Sequence, residues 1–276
     1  MYEVSQVTTM NMWITAVVSI FLPIVLLVMW KKKKKVRISP FFIGALTFIA
    51  FALILENICH QFFLVRESAL SRFMNENTWA YVLYAALAAG IFEETGRFIA
   101  FKFFMKNNDK KEDAITYGIG HGGIESILVV GFSMLSSIFL ISTLKSMGGI
   151  DGYVAMVPVE SQELVRTSLM SLYTTPPYIY LLGAVERVAT IAFHIALSFF
   201  VFMAVKRPGK LYFYPVAILL HVFLDIFAVL YQREVITNMI IMEAIIIAIT
   251  LVTAYFAYRL YQKDAAVEAS ETVSQN

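Results

Sequence analysis

Three short stretches set carboxylates and bases at helical spacing inside otherwise apolar runs: EETGR at 93–97, HGGIE at 121–125 and HVFLD at 221–225. Residues four apart share a helix face, so His121 with Glu125, and His221 with Asp225, can each aim two polar groups into one cavity. In EETGR, Glu93 and Glu94 precede Arg97 by four and three residues, and the two glutamates diverge by about 100°. One can pair with the arginine while the other faces elsewhere. His194 sits in a fourth apolar run. Imidazoles beside carboxylates suit a zinc-type site, in which three protein ligands leave a fourth position for water. A free glutamate beside it would be the base that deprotonates that water.

The elements that must hold these groups are membrane helices. The chain is 59% hydrophobic and 15% charged, against roughly 45–50% and 25% in soluble domains. Apolar runs of the ~20 residues needed to span a bilayer occur at 10–30, 38–65, 78–105, 114–145, 178–205, 211–231 and 235–261. They predict an all-α, polytopic transmembrane helix bundle of about seven spans in the cell membrane. Most Lys and Arg fall at 31–37, 102–111, 206–210, 259 and 263, alternating with charge-poorer connections. The positive-inside rule then puts the N-terminus outside and the C-terminus in the cytoplasm. The first run is no cleaved signal by this reading, because its cations follow it and only Glu3 and polar residues precede it. The single cysteine, Cys59, excludes an intrachain disulfide framework.

Residues 1–261 read as one integral membrane domain with a motif-bearing four-helix core at about 78–231. Residues 262–276 read as a polar tail without regular structure. In the outer connection 146–177, Leu164, Val165, Leu169 and Leu172 fit one side of a short surface helix, and a plain connector fits equally. The run KKKKK reads as an orientation and lipid-surface signal rather than a binding site. Tyr178, Tyr180, Tyr212 and Tyr214 read as interface anchors.

Thirteen ionisable residues fall within the spans: the eight above with Glu56, His60, Glu186, Arg187 and Glu243. Each costs a few kcal/mol in hydrocarbon, so such residues mark functional or tightly paired positions. Counting a 1.5 Å rise per residue from each cytoplasmic end puts Arg97 and Glu94 roughly 13 and 18 Å deep, and His121 and Glu125 roughly 11 and 17 Å. His194 falls at roughly 16 Å, and His221 and Asp225 at roughly 15 and 21 Å. Four helices converge on one layer. Glu56, His60, Glu186 and Glu243 come out near 27–33 Å, towards the outer face, and are poorer candidates. Gly118, Gly120, Gly122 and Gly123 surround His121; helix packing accounts best for the first two, and packing or a place at the site stays open for the others.

These residues carry a resemblance. EE-x-x-R on one helix, an aromatic four residues before His on the next (Tyr117, His121), and a later His-x-x-x-Asp (His221, Asp225) resemble the motifs of the CAAX-prenyl protease and bacteriocin-processing clan of intramembrane proteases. GHGGIE with ERVATIAFH is most similar to its YhfC-like branch of intramembrane metalloproteases. The resemblance covers about residues 78–231. It implies a divalent metal, zinc by preference, and a membrane-embedded or membrane-associated peptide substrate in the bilayer. It implies that Glu93 or Glu94 activates water, that Arg97 holds the glutamate pair, and that His121 and His221 bind metal or orient water. Asp225 would stabilise an oxyanion if protonated or metal-assisted. The arginine follows the glutamates by one residue fewer than in the prenyl-protease pattern, which changes the glutamate it faces. Glu125 and His194 have no equivalent in the simplest pattern and enlarge the ligand set.

Two functional classes fit: an intramembrane protease, which is favoured, and a non-catalytic scaffold or ion-coupled transporter using the same polar layer. No inverted repeat of helices is visible, which counts against many transporter folds. No nucleic-acid partner is expected.

Overall fold

The computed structural model describes residues 4–274, with side chains to residue 266; Glu3 and residues 275–276 lie outside the described residues. Every regular element described is a helix. In chain order these are α1 (Gln6–Lys34), α2 (Ser39–Val65), α3 (Ala69–Glu76), α4 (78–104) and α5 (Lys111–Ser146). There follow α6 (Ile150–Val154), α7 (Val159–Thr174), α8 (Pro177–Lys206), α9 (Phe213–Gln232) and α10 (Met239–Ser274). Stretches of π-helix interrupt three of them, at Ile49–Glu56 and Gln61–Val65 in α2, Ala100–Phe104 in α4 and Ser126–Gly131 in α5.

Six helices are long and apolar enough to cross a membrane: α1, α2, α5, α8, α9 and α10, the last over Met239–Ala266. The protein is therefore a multi-pass integral membrane protein. Helix α4, the remaining expected span, is not among the six; Glu93, Glu94 and Arg97 break its apolar run.

By packing, the chain divides into two units. The first comprises Met1–Leu22 and Ser126–Arg187. Within it α1 is tied by side-chain hydrogen bonds to main-chain carbonyls: Asn11 Nδ2 donates to Pro177 O at 2.9 Å, Thr15 Oγ1 to Tyr180 O at 2.6 Å, and Ser126 Oγ to Ser19 O at 3.0 Å. Such bonds join helices where no hydrophobic force distinguishes a neighbouring helix from lipid. The connection 146–177 contains α6 and α7, and Leu169 is buried with Leu144, Ile150 and Val154 while Val165 and Leu172 pack against them. Leu164 departs from the expected stripe and is 72% exposed. The stripe 165, 169, 172 keeps helical spacing, and residue 164 stands about 100° away from it.

The second unit comprises Pro23–Glu125 and Val188–Asn276. Here the start of α2 runs along the start of α5, and α9 runs along α4. Backbones touch along the first pair: a Cβ on Gly120 would lie 1.9 Å from the Phe41 carbonyl oxygen, and one on Gly44 would lie 2.3 Å from that of Tyr117. On another side of α5, a Cβ on Gly123 would lie 2.5 Å from Pro23 Cβ of α1. Gly120→Ala is therefore expected to destabilise the fold by about 1–3 kcal/mol or more through overpacking, read as a lower thermal unfolding midpoint in detergent. An unchanged midpoint would show that α2 and α5 separate freely.

Helix α10 continues into the polar tail expected to be irregular. Two causes are visible: the sequence there is rich in good helix formers, and Asp264 accepts a bidentate pair from Arg207 Nε and Nη2 at 2.7 and 2.8 Å.

Candidate metal and catalytic site

All eight candidate residues come together in the second unit, supplied by four helices. Helix α4 brings Glu93, Glu94 and Arg97, α5 brings His121 and Glu125, α8 brings His194, and α9 brings His221 and Asp225. Small residues let these helices approach. A Cβ on Gly122 would stand 2.9 Å from His194 Cβ, so α5 presses directly on α8 at that histidine. A Cβ on Gly90 would stand 2.7 Å from Val222 Cγ2, which does the same for α4 and α9 beside His221.

Arg97 is fully buried and organises the interior of the site. Its Nη1 donates to Glu94 Oε1, its Nη2 donates to His194 Nδ1, and Nη2 also lies 3.5 Å from Glu93 Oε2. The arginine therefore takes Glu94 as its main partner, with Glu93 farther from it. Glu94 is also fully buried, and its Oε1 accepts from His221 Nδ1 at 2.7 Å. Glu93 is the more accessible glutamate at 7% exposure. Its Oε2 bonds His121 Nε2 at 2.8 Å and lies 3.9 Å from His194 Nδ1, while its Oε1 lies 3.9 Å from His221 Nε2.

Three imidazoles thus surround one carboxylate. Two of them carry a carboxylate partner on their other ring nitrogen: Glu94 for His221, and Glu125 for His194, whose Nε2 is 2.5 Å from Glu125 Oε2. Ring protons are inferred from such contacts. They put the His194 proton on Nε2 and the His221 proton on Nδ1, leaving His194 Nδ1 and His221 Nε2 as lone pairs on the Glu93 side. Asp225 Oδ2 lies 3.5 Å from His221 Nε2, and its side chain is 21% exposed. Phe48 meets the His121 ring edge-on at 5.3 Å between centroids.

Glu93, His121 and His194 each offer a ligand atom, and these atoms lie within 4.8 Å of one another. Ligands about 2.0–2.1 Å from a tetrahedral zinc stand roughly 3.4 Å apart, so small side-chain movements would suffice to close the group on a cation. The donor set, two imidazoles and a carboxylate, is one that catalytic zinc sites use. A carboxylate behind a ligand histidine, as Glu125 stands behind His194, is the usual outer support. Charge agrees: four carboxylates face a single guanidinium, and a divalent cation would offset part of the excess. His121 Nδ1 and Glu94 Oε2 are buried with no hydrogen-bond partner among the described residues. Buried polar atoms without a partner are uncommon, and neither of these two is one of the three atoms that would hold the cation. A cation would compete with Arg97 Nη2 for the His194 Nδ1 lone pair.

The poorer candidates are paired elsewhere. His60 Nε2 lies 3.2 Å from Glu56 Oε1, and its Nδ1 is 3.0 Å from the Tyr84 hydroxyl. Glu186 and Arg187, of the first unit, pair at 2.5 Å. Glu243 is buried on α10. Sequence reasoning passed over Gly44 and Phe48 of α2, which set the backbone and ring of His121; a lone glycine in the apolar run FFIGALTF was the available signal.

Fold and site define a class: a multi-pass helical membrane protein around a buried Glu/His/His group that can hold a metal ion. The chain belongs to the family described as YhfC intramembrane metalloprotease, which matches residues 18–246. It is 36% identical over 269 residues to the uncharacterized membrane protein YhfC of Bacillus subtilis (strain 168), an alignment that covers 94% of this chain and all of that protein. No solved structure matches the chain.

Proposed function

We propose that this chain hydrolyses a peptide bond of a membrane-embedded or membrane-associated substrate, with Glu93 as the carboxylate that takes the proton from water. The observation that carries this reading is the surround of Glu93, with nitrogens of three histidines at 2.8, 3.9 and 3.9 Å. Glu93 Oε2, His121 Nε2 and His194 Nδ1 would hold a divalent cation, zinc being the first to test. When bound it would make water easier to deprotonate and polarise the substrate carbonyl.

The chain's own residues do the rest. Glu125 fixes the His194 ring so that Nδ1 faces inward. Arg97 neutralises Glu94, and Glu94 in turn holds the His221 Nδ1 proton, so that His221 presents Nε2 as a lone pair. Glu93 Oε1 faces that nitrogen and accepts the proton of water there. As the water oxygen bonds to the carbonyl carbon, Glu93 passes that proton to His221 Nε2, which delivers it to the amine as the C–N bond breaks, with Asp225 stabilising the charged imidazole. Seven spans, with α4 as the seventh and the site in the cytoplasmic half, complete the proposed arrangement.

The test uses the purified full-length protein, with bound metal measured alongside cleavage of a panel of membrane peptides. Cleavage that a chelator abolishes and added zinc restores is expected, with His121→Ala and His194→Ala losing both metal and activity. Wild-type protein that transports a cation in vesicles and cuts no peptide would support the transporter reading instead. Equal metal content in the wild type and both variants would sink the ligand assignment.

A further inference from the structure

Apart from the Glu/His cluster, two cavities of the second unit meet at the end of α1. One is an apolar trough of about 380 Å3, within the ~300–1,000 Å3 typical of small-ligand sites. Its floor is made of small residues, Ala192 and Ala196 of α8 with Ala254 and Ala257 of α10, and it reaches Trp30 and Lys34 of α1. The other is a basin of about 580 Å3 lined by Lys34, Lys35, Arg37, Lys110 and Lys111, together with Asp109, Glu112 and Asp113. Lys34 lines both cavities, so they share a wall.

Each acid of the basin has a hydrogen-bond or ion-pair partner, and only Asp109 is neutralised by a cation from outside the basin. Asp109 pairs with Lys206 at 3.0 Å, Glu112 accepts from the Tyr261 hydroxyl at 2.8 Å, and Asp113 accepts from Asn108 Nδ2 at 3.1 Å. Among the described residues, Lys35, Arg37 and Lys110 have no carboxylate within 4 Å, Arg37 and Lys110 act on Asp113 at longer range, and Lys34 stands at 3.9 Å from Glu112. Lys35 also holds a left-handed backbone, φ 51°, where the chain turns out of α1. With five cations against three carboxylates in its lining, the basin keeps a surplus of positive charge beside a groove lined mostly by apolar side chains. A soluble anion would use the basin and leave the trough bare; an uncharged lipid would do the reverse.

From this juxtaposition we infer that trough and basin together bind one anionic phospholipid of the surrounding bilayer. Its phosphate sits among Lys34, Lys35, Arg37 and Lys110, and one acyl chain lies in the alanine-floored trough. The lipid bridges the end of α1 and the start of α5, the helix that carries His121 and Glu125. Basic residues at the membrane surface attract anionic headgroups; the trough beside them is what turns a general attraction into a site.

Trp30 reports on the trough directly. The full-length protein, with Trp13 and Trp79 replaced by Phe, is placed in nanodiscs of phosphatidylcholine containing a minority of phosphatidylglycerol, with brominated acyl chains on one lipid or the other. Brominated phosphatidylglycerol is expected to quench Trp30 several-fold more per mole than brominated phosphatidylcholine. The combined variant Lys35→Gln and Arg37→Gln should weaken the preference roughly 20- to 30-fold at low salt, about fivefold for each cation. Native mass spectrometry of the unsubstituted protein, which should retain one phosphatidylglycerol through detergent exchange, keeps the test independent of the tryptophan variants. Equal quenching by the two lipids, a preference indifferent to the loss of both cations, or displacement of the lipid by millimolar inorganic phosphate would each overturn the inference.

Discussion

Glu93→Gln is expected to lower peptide cleavage by at least about 100-fold, the lower end of what a positioned general base contributes, while leaving the helical fold in place. The amide keeps the shape of the carboxyl and still places an oxygen where Glu93 Oε2 stands, 2.8 Å from His121 Nε2. It cannot take a proton from water. Glu94→Gln should behave differently, because Glu94 is fully buried between Arg97 and His221. Its first effect is a less stable protein, with activity lost in proportion to misplacement of His221. The comparison is made on purified variants, with cleavage rate and thermal unfolding measured on the same samples. Cleavage by Glu93→Gln at the wild-type rate would remove Glu93 from the chemistry.

Arg97→Leu is expected to have the largest effect on stability. The guanidinium is fully buried and contacts Glu94 and His194, with Glu93 at 3.5 Å. Removing one partner of a buried ion pair costs about 3–5 kcal/mol, because the other charge is left without compensation. Here two glutamates lose their counter-ion together. The variant should accumulate poorly or unfold at a clearly lower temperature in detergent. Combining it with Glu94→Leu should recover much of that loss, since the stranded carboxylate goes with the arginine. A double variant no more stable than Arg97→Leu alone would mean that the pair is not what the arginine stabilises.

The spacing rules grouped these residues on shared helix faces for a reason visible in the helices. In α4 the π-helical stretch begins at Ala100, after Arg97, and in α5 it begins at Ser126, directly after Glu125. Reasoning by three and four residues therefore operated on regular α-helix throughout EETGR and HGGIE. Beyond those points the arithmetic would have drifted, and nothing in AFKFF or SILVVG distinguishes a wider helix from an ordinary one. The choice between Glu93 and Glu94 was not legible, because both lie within reach of Arg97 on one helix. The pairing differs because His221, which comes from α9, donates to Glu94. The place of Glu125 behind His194 is likewise a contact between helices and leaves no trace in local spacing. The start of the tail depends on a distant partner in the same way: Asp264 of α10 pairs with Arg207, more than fifty residues earlier in the chain.

Helix α5 meets its neighbours through glycine on three sides: Gly120 against Phe41, Gly123 against Pro23, and Gly122 against His194. An exhaustive substitution screen scored by activity would therefore return this glycine spine alongside the acidic and imidazole residues, although no glycine side chain exists to touch a substrate. Stability and chemistry would be inseparable at those positions. Tolerance to replacement would follow main-chain clearance and not distance from the reacting atoms, so a map of sensitive residues would outline a helix before it outlined a pocket.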